Sequence, residues 1–315
     1  MNKIFTLITS ALFISMLAGC GGGGSATADI AYAGKESQAT LDTNNAKPIV
    51  EGTVGNAQIG AGTGTGFASR QGDSAPLNLS VSRSLLRGLE AARQQQVMRS
   101  ERQARSDAAT VFCKNEEGTE EGSINYNLII DDSTNAVSGD FNFIACNQDG
   151  VVIDGLLSIT GTVDAFGNFQ QVAMTFTSLA TSIGSTSVTL NGTLEASYSG
   201  NQITIVMNVA MLNDGTGQVE KVENYLITYT DNYSYASLTI SGRYYHPDYG
   251  FVEITTLSPI LINNGDEYPS SGIVQLDGAL GTMARVTIIS NTQYFLEVDT
   301  DGDGALEVPG STENW

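Results

Sequence analysis

From about residue 110 onward, apolar and polar side chains alternate in short runs, with Val, Ile, Thr, Tyr and Phe in the runs and Gly, Asn and Asp between them. A period of two belongs to a half-buried β-strand. It predicts twelve strands, at residues 124–130, 137–145, 151–163, 169–177, 187–198, 202–211, 222–229, 236–245, 251–256, 272–276, 284–289 and 294–298. Ser199, Gly200 and Asn201, and later Asp231 and Asn232, leave room only for short hairpin connections, so neighbouring strands are expected to pair as an antiparallel meander. One face of each strand must be covered. The expected fold is mainly β, as a sandwich, a curled sheet or a partly closed barrel. Glycines at the heads of runs, Gly155, Gly192, Gly242 and Gly272, suggest a degenerate repeat of about 30 to 40 residues.

Upstream the pattern changes. Between Ser82 and Ser106, Leu85, Leu86, Leu89, Ala92 and Val97 fall mostly on one stripe at helical spacing, with Ser82 placed to cap. Residues 76–106 therefore read as one amphipathic helical unit. Its polar face carries Arg83, Arg87, Arg93, Arg99, Arg102 and Arg105 against Glu90 and Glu101. Two roles fit: packing on the β-domain, or resting on anionic head groups. Residues 21–75 are rich in Gly, Ala, Thr, Ser and Asn without sustained periodicity, and read as a disordered, flexible tether with a reach near ~40 Å. Gly60, Gly62, Gly64 and Gly66 imitate a nucleotide loop, but no strand precedes them and no helix follows at once, so they read as linker.

The first residues have a different logic. Lys3 precedes a mostly apolar run from Ile4 to Leu17, too short for the roughly 20 residues of a membrane span and suited to a secretory signal peptide over residues 1–19. Leu17, Ala18, Gly19 and Cys20 resemble the lipobox of bacterial lipoproteins. The resemblance implies cleavage before Cys20 and a lipid, palmitate among its acyl chains, on that residue. Gly21, rather than Asp, then implies outer-membrane placement. With Cys20 committed to lipid, Cys113 and Cys146 remain as an even pair in an oxidising compartment, where a disulfide is expected.

Charge narrows the partners. The chain carries a formal −20, and beyond residue 105 four basic residues face 27 acidic ones, a balance of −23. Nucleic acid is argued against as a partner for this acidic β-domain, residues 107–315; cations and basic proteins are favoured.

The strongest local motif is Asp299, Asp301, Asp303, Gly304 and Glu307 after the last predicted strand. Carboxylates at alternate positions of a Gly-containing loop can converge on one calcium ion, which takes six to eight oxygens. Ala305 would add a backbone carbonyl. The loop departs from the EF-hand pattern because position 12 is Gly310, so Glu307 or a distant acid would have to complete the shell; the alternative is an exposed acidic turn. Seven of the chain's twelve tyrosines lie between residues 225 and 249, and Tyr225, Tyr229, Tyr244, Tyr245 and Tyr249 are either core and cross-strand residues or a surface for a glycan or protein. His246, the only histidine, sits in a turn-like Tyr-His-Pro-Asp-Tyr-Gly sequence, and no G-x-S-x-G elbow occurs. No catalytic residue is assigned.

The body also resembles uncharacterised lipoproteins of Gram-negative bacteria. The resemblance is carried by the Cys113 and Cys146 pair, the segment SGRYYHPDYGFVEITT at residues 241–256 and the closing VDTDGDG at residues 298–304. It implies a class and no activity. The expectation is a noncatalytic envelope lipoprotein with a structural, adhesive or partner-binding role on a calcium-stapled β-domain, the competing reading being a carbohydrate-binding or glycan-processing protein.

Overall fold

The computed structural model describes residues 30–66, 105–114, 118–131, 133–148, 150–164, 168–183, 186–264, 266 and 268–315. An extended segment at the start leads into helix α1 (Ala46–Gly66). Fourteen strands follow: β1 (Arg105–Lys114), β2 (Glu120–Asp131), β3 (Ala136–Gln148), β4 (Val151–Val163), β5 (Phe169–Ile183), β6 (Thr186–Ser199), β7 (Gln202–Asn213), β8 (Gln218–Asp231), β9 (Tyr235–His246), β10 (Gly250–Asn263), β11 (Ser271–Asp277), β12 (Met283–Ser290), β13 (Gln293–Asp299) and β14 (Glu307–Asn314). They form one sheet in sequential order, every neighbour antiparallel. The twelve expected strands all lie within β2 to β13. The two outermost strands, β1 and β14, are additions.

Alternation decides which face is inside. Ile203, Ile205, Met207, Val209 and Met211 of β7 are buried, as are Ala284, Val286 and Ile288 of β12 and Tyr294, Leu296 and Val298 of β13. These residues belong to one hydrophobic cluster that also takes in Cys113, Ile124 and Phe141 at the other end of the sheet. One helix cannot cover fourteen strands, so the sheet must curl over its own inner face. Among the described residues β1 and β14 are not joined, which makes this an open curled sheet.

The curl is built along a line. Register breaks occur in β3 between Phe143 and Cys146, in β5 between Phe176 and Leu179, and in β8 between Glu223 and Leu226. At each break a non-glycine residue takes a positive φ: Ala145, Ser178 and Asn224. Such bulges bend a strand and free a backbone N–H. A side chain of the adjacent strand accepts that N–H every time: Asp154 from Ala145 at 2.8 Å, Asn191 from Ser178 at 3.1 Å, and Asn208 from Asn224 at 2.8 Å. The glycines read as a repeat belong to the same line. Gly192, at φ +132, lies so close to β7 that a Cβ would stand 2.1 Å from the carbonyl oxygen of Asn208.

Residues 46–66, expected as tether, form α1. Asp42 accepts the N–H groups of Asn44 and Asn45, while Asn45 returns its side-chain oxygen to the N–H of Asp42. That reciprocal exchange is a capping box with Asn as its second member, and Pro48 lies in the first turn. Six glycines fall within the helix, each unfavourable by about 1 kcal/mol relative to Ala. Enclosure offsets this penalty. A Cβ on Gly52 would meet the Tyr244 hydroxyl at 2.0 Å, and one on Gly60 would meet Met207 Sδ at 2.2 Å. Ile49, Val50, Val54, Ala57 and Ala61 are buried between them.

The segment before α1 is also held. Ala39 donates to the carbonyl of Phe251 at 2.8 Å and accepts from Ala279 at 2.7 Å, and the Leu41 N–H reaches Thr282 Oγ1 at 3.0 Å. Tyr32 packs edge-on against Tyr245. This strap runs along the rim that carries the β9–β10 and β11–β12 turns. Cys113 and Cys146 are joined, with Cα atoms 5.4 Å apart, stapling β1 to β3. The Arg-rich helix expected at residues 82–106 lies outside the described residues except for Arg105 and Ser106, which begin β1 instead of ending a helix. No described helix is long and apolar enough to cross a membrane.

Candidate metal centre

Strand β13 ends in Asp299, a fully buried acid. Burial of a charge is tolerated when its lone pairs are taken up. Asp299 Oδ1 accepts the Gly302 N–H at 2.7 Å and Oδ2 accepts the Gly304 N–H at 2.8 Å. The turn that allows this needs positive φ at Gly302 (+77°) and Gly304 (+89°), where a side chain would be strained. Around it, Asp301 accepts the Asp303 N–H at 3.1 Å, and Glu307, first residue of β14, accepts the Thr300 N–H at 2.8 Å.

Asp299, Asp301 and Glu307 each bring a carboxylate oxygen within 4.8 Å of the others. Two oxygens on opposite sides of a calcium ion, each at about 2.4 Å, are separated by about that distance. The donor set therefore fits a hard cation in size and in chemistry. Asp303 stands outside the trio: its Oδ1 accepts the Ala305 N–H at 2.7 Å. Of the five expected ligands, the structure brings the carboxylates of three together, Asp299, Asp301 and Glu307. The loop is braced from behind, since a Cβ on Gly302 would meet the Leu280 carbonyl oxygen at 2.2 Å, and the neighbouring Ala279 is tied to the strap.

The tyrosines are arranged otherwise than a ligand platform requires. Tyr225 and Tyr244 are fully buried, and the Tyr225 hydroxyl donates to the Thr53 carbonyl of α1 at 2.8 Å. Tyr245 is covered by Tyr32, donates to Glu223 at 2.6 Å and has Lys221 Nζ 4.0 Å above its ring. Tyr249 stacks on His246 at 4.5 Å, and Tyr229 is partly buried against the core. The five side chains thus serve packing and cross-strand contacts. In the same region the exposed rings are those of Tyr233, at 76%, and Tyr235, at 37%. His246 is buried in the β9–β10 turn, accepts the Asp248 N–H at 3.2 Å, and has its pKa lowered by burial, with Asp248 opposing in part.

Sequence reasoning passed over Glu220, whose side chain points inward beneath α1 and accepts from Asn56 Nδ2 at 3.2 Å. Burial raises its pKa, and the Asn56 hydrogen bond works against that. Its signal was its place in the alternation, two positions before the buried Val222. Cys20 lies outside the described residues. No known protein family, curated protein or solved structure matches the chain.

Proposed function

We propose that the chain is a noncatalytic cell-envelope lipoprotein, anchored in the outer membrane by lipid on Cys20, whose β-domain binds calcium and has a structural, adhesive or partner-binding role. The convergence of Asp299, Asp301 and Glu307 carries the calcium assignment. Residues Asp299, Asp301 and Glu307 would hold the ion, which would supply charge neutralisation to a loop joining the last two strands. A cation there staples β14 to the sheet. The noncatalytic reading is supported by the inner face, which is devoted to apolar packing, and by a single histidine engaged in a turn.

The anchor rests on the lipobox resemblance and on the class of lipoproteins it suggests. The strap changes what such an anchor would do. Ten residues separate Cys20 from Ile30, where the described body begins, so lipid and body would lie within about 35 Å of one another even with that link fully extended. The glycan alternative loses its support with the burial of Tyr225, Tyr244 and Tyr245.

Titration calorimetry of the mature protein with calcium, beside Asp301→Ala, tests the site. Binding that disappears in the variant is expected. Identical traces would remove calcium from the proposal. Mass spectrometry of membrane-extracted wild type and Cys20→Ala tests the anchor separately, with a diacylglyceryl adduct expected on wild type alone.

A further inference from the structure

We propose that the rim of the sheet opposite the strap binds a neutral glycan, through Tyr233, Tyr235 and the side-chain amides of the same rim. Such binding gives the adhesive role proposed above a ligand, and rests on that reading for its place in the envelope alone. Because neighbouring strands alternate in direction, the β6–β7, β8–β9, β10–β11 and β12–β13 connections share one end of the sheet, and the strap lies at the other. Tyr235 and His246, the first and last residues of β9, are about 36 Å apart along the strand. The four connections of the far rim are tied to one another. The Asp231 N–H donates to the Asn201 carbonyl at 2.9 Å, and the Asn264 N–H donates to the Ser234 carbonyl at 3.2 Å. Asp266 accepts from Asn263 at 3.1 Å and from Asn291 at 2.9 Å.

Tyr233 is held in a conformation that presents its ring. Its φ of +65° lies in the left-handed region that a bulky residue seldom adopts. Asp231 Oδ1 accepts the Tyr233 N–H at 2.8 Å, and Asn264 Nδ2 donates to the Tyr233 carbonyl at 2.5 Å. The ring stands 76% exposed, with that of Tyr235 at 37% on the same hairpin. Backbone strain maintained under an exposed aromatic points to a task for that ring. The same rim exposes the amides of Asn201, Gln202, Asn263, Asn264, Asn291 and Gln293. Charge and chemistry select the ligand. Residues 199–202, 231–235, 263–271 and 290–293 contain no Lys or Arg, so a phosphate, a sulfate or an acidic lipid finds no counter-charge there. A pyranose has a C–H face that stacks on the negative face of a tyrosine ring, and hydroxyls that both give and take hydrogen bonds, as side-chain amides do. A protein partner calls for an apolar core to its interface. Among the described residues, the exposed large apolar side chains of these four connections are the two tyrosines.

The test uses the mature full-length chain with Cys20→Ala, in solution and without membrane, so that its failure and that of the anchor are told apart. Cellotetraose, maltotetraose and the chitin tetrasaccharide are each titrated to about 20 mM, a range in which one stacked ring and a few hydrogen bonds are measurable, with amide shifts read by nuclear magnetic resonance. At least one of them should shift residues 231–235 and 263–264 saturably, and tetragalacturonate should not. Tyr233→Phe keeps the ring and should keep the affinity. Tyr233→Asn suits the left-handed backbone, loses the ring and should weaken binding by about tenfold. Leu257→Ala, at an exposed site of β10, should leave binding alone. Shifts with none of the three neutral sugars would overturn the proposal. So would equal binding of tetragalacturonate, unchanged affinity in Tyr233→Asn, or capture through Tyr233 of an envelope protein stripped of its glycan.

Discussion

The sheet has two regions that hold themselves in shape by different means. Strands β2 to β10 run 12 to 15 residues, while β11 to β14 run 7 or 8. The long strands carry the line of bulges, with Asp154, Asn191 and Asn208 each closing the backbone donor that a bulge frees. Between β9 and β10 the Thr256 hydroxyl does the same, accepting the Ile240 N–H at 2.7 Å and donating to its carbonyl at 2.9 Å. The short region pairs β11 with β12 without a break, and its bracing comes from outside the ladder, from the strap and from the acidic loop. Long strands cannot wrap a single helix by bending evenly. They concentrate the bend where one residue per strand leaves the ladder, and a polar neighbour takes up what is lost.

If the bend resides in that line, substitutions on it should have the largest effects. Gly192→Ala puts a side chain at φ +132 and 2.1 Å from a backbone oxygen. Backbone strain and overpacking together should destabilise the protein by about 4 kcal/mol in denaturant unfolding. Gly200→Ala is the comparison: its φ is +61 and nothing stands within 4 Å, so about 1 kcal/mol is expected. Equal losses would mean that the line bears no special strain. Next comes the disulfide. Cys113→Ser opens a closure of 33 residues, for which chain entropy gives about 3.5 to 4 kcal/mol, read as a lower melting temperature.

Asn208→Ala leaves the Asn224 N–H without its acceptor and should cost about 1 to 2 kcal/mol. A smaller change, with amide exchange at Asn224 no faster than in wild type, would mean that solvent already serves that donor.

These sites also mark the limit of what could be read from residue order. Alternation alone located β2 to β13, because a period of two survives a bulge as a slip of one residue. The glycines of the bend were noticed as a repeat, but their cause is a contact with the next strand that no local pattern reveals. β14 was missed since Pro309, Gly310 and the acids around them resemble a tail. β1 is an addition, and its first residues, Arg105 and Ser106, fall at the end of the Arg-rich stretch expected as helix. The failure at α1 has a thermodynamic reason: a helix with six glycines has poor intrinsic propensity, and only enclosure beneath Tyr244 and Met207 makes it stable. Asp42 and Asn45 were the available signal. In the acidic loop the spacing singled out the acids, but which carboxylates converge follows from Asp299 turning the backbone and Asp303 turning away.

Helix α1 touches both regions through a carboxylate, and the two contacts should respond to pH with opposite sign. In the short region Glu313 takes a hydrogen bond and ion pair from Lys47 at 2.8 Å, which lowers its pKa below the ordinary 4.5. Its contribution is present above that value and is lost as pH falls through the folded pKa. In the long region burial raises Glu220 above 4.5. There the folded state binds the proton more tightly than the unfolded chain, so stability declines as pH rises from about 4.5 through the raised value. Gln keeps the acceptor for Asn56 and removes the charge. Glu220→Gln should therefore raise the melting temperature at pH 7 and leave it nearly unchanged at about pH 4. Glu313→Gln should lower it at pH 7 by a small amount, since the Lys47 and Glu313 side chains are 40% and 26% exposed and solvent screens the pair. If both variants shifted in the same direction at pH 7, the helix would not be held by a buried acid on one side and a surface ion pair on the other.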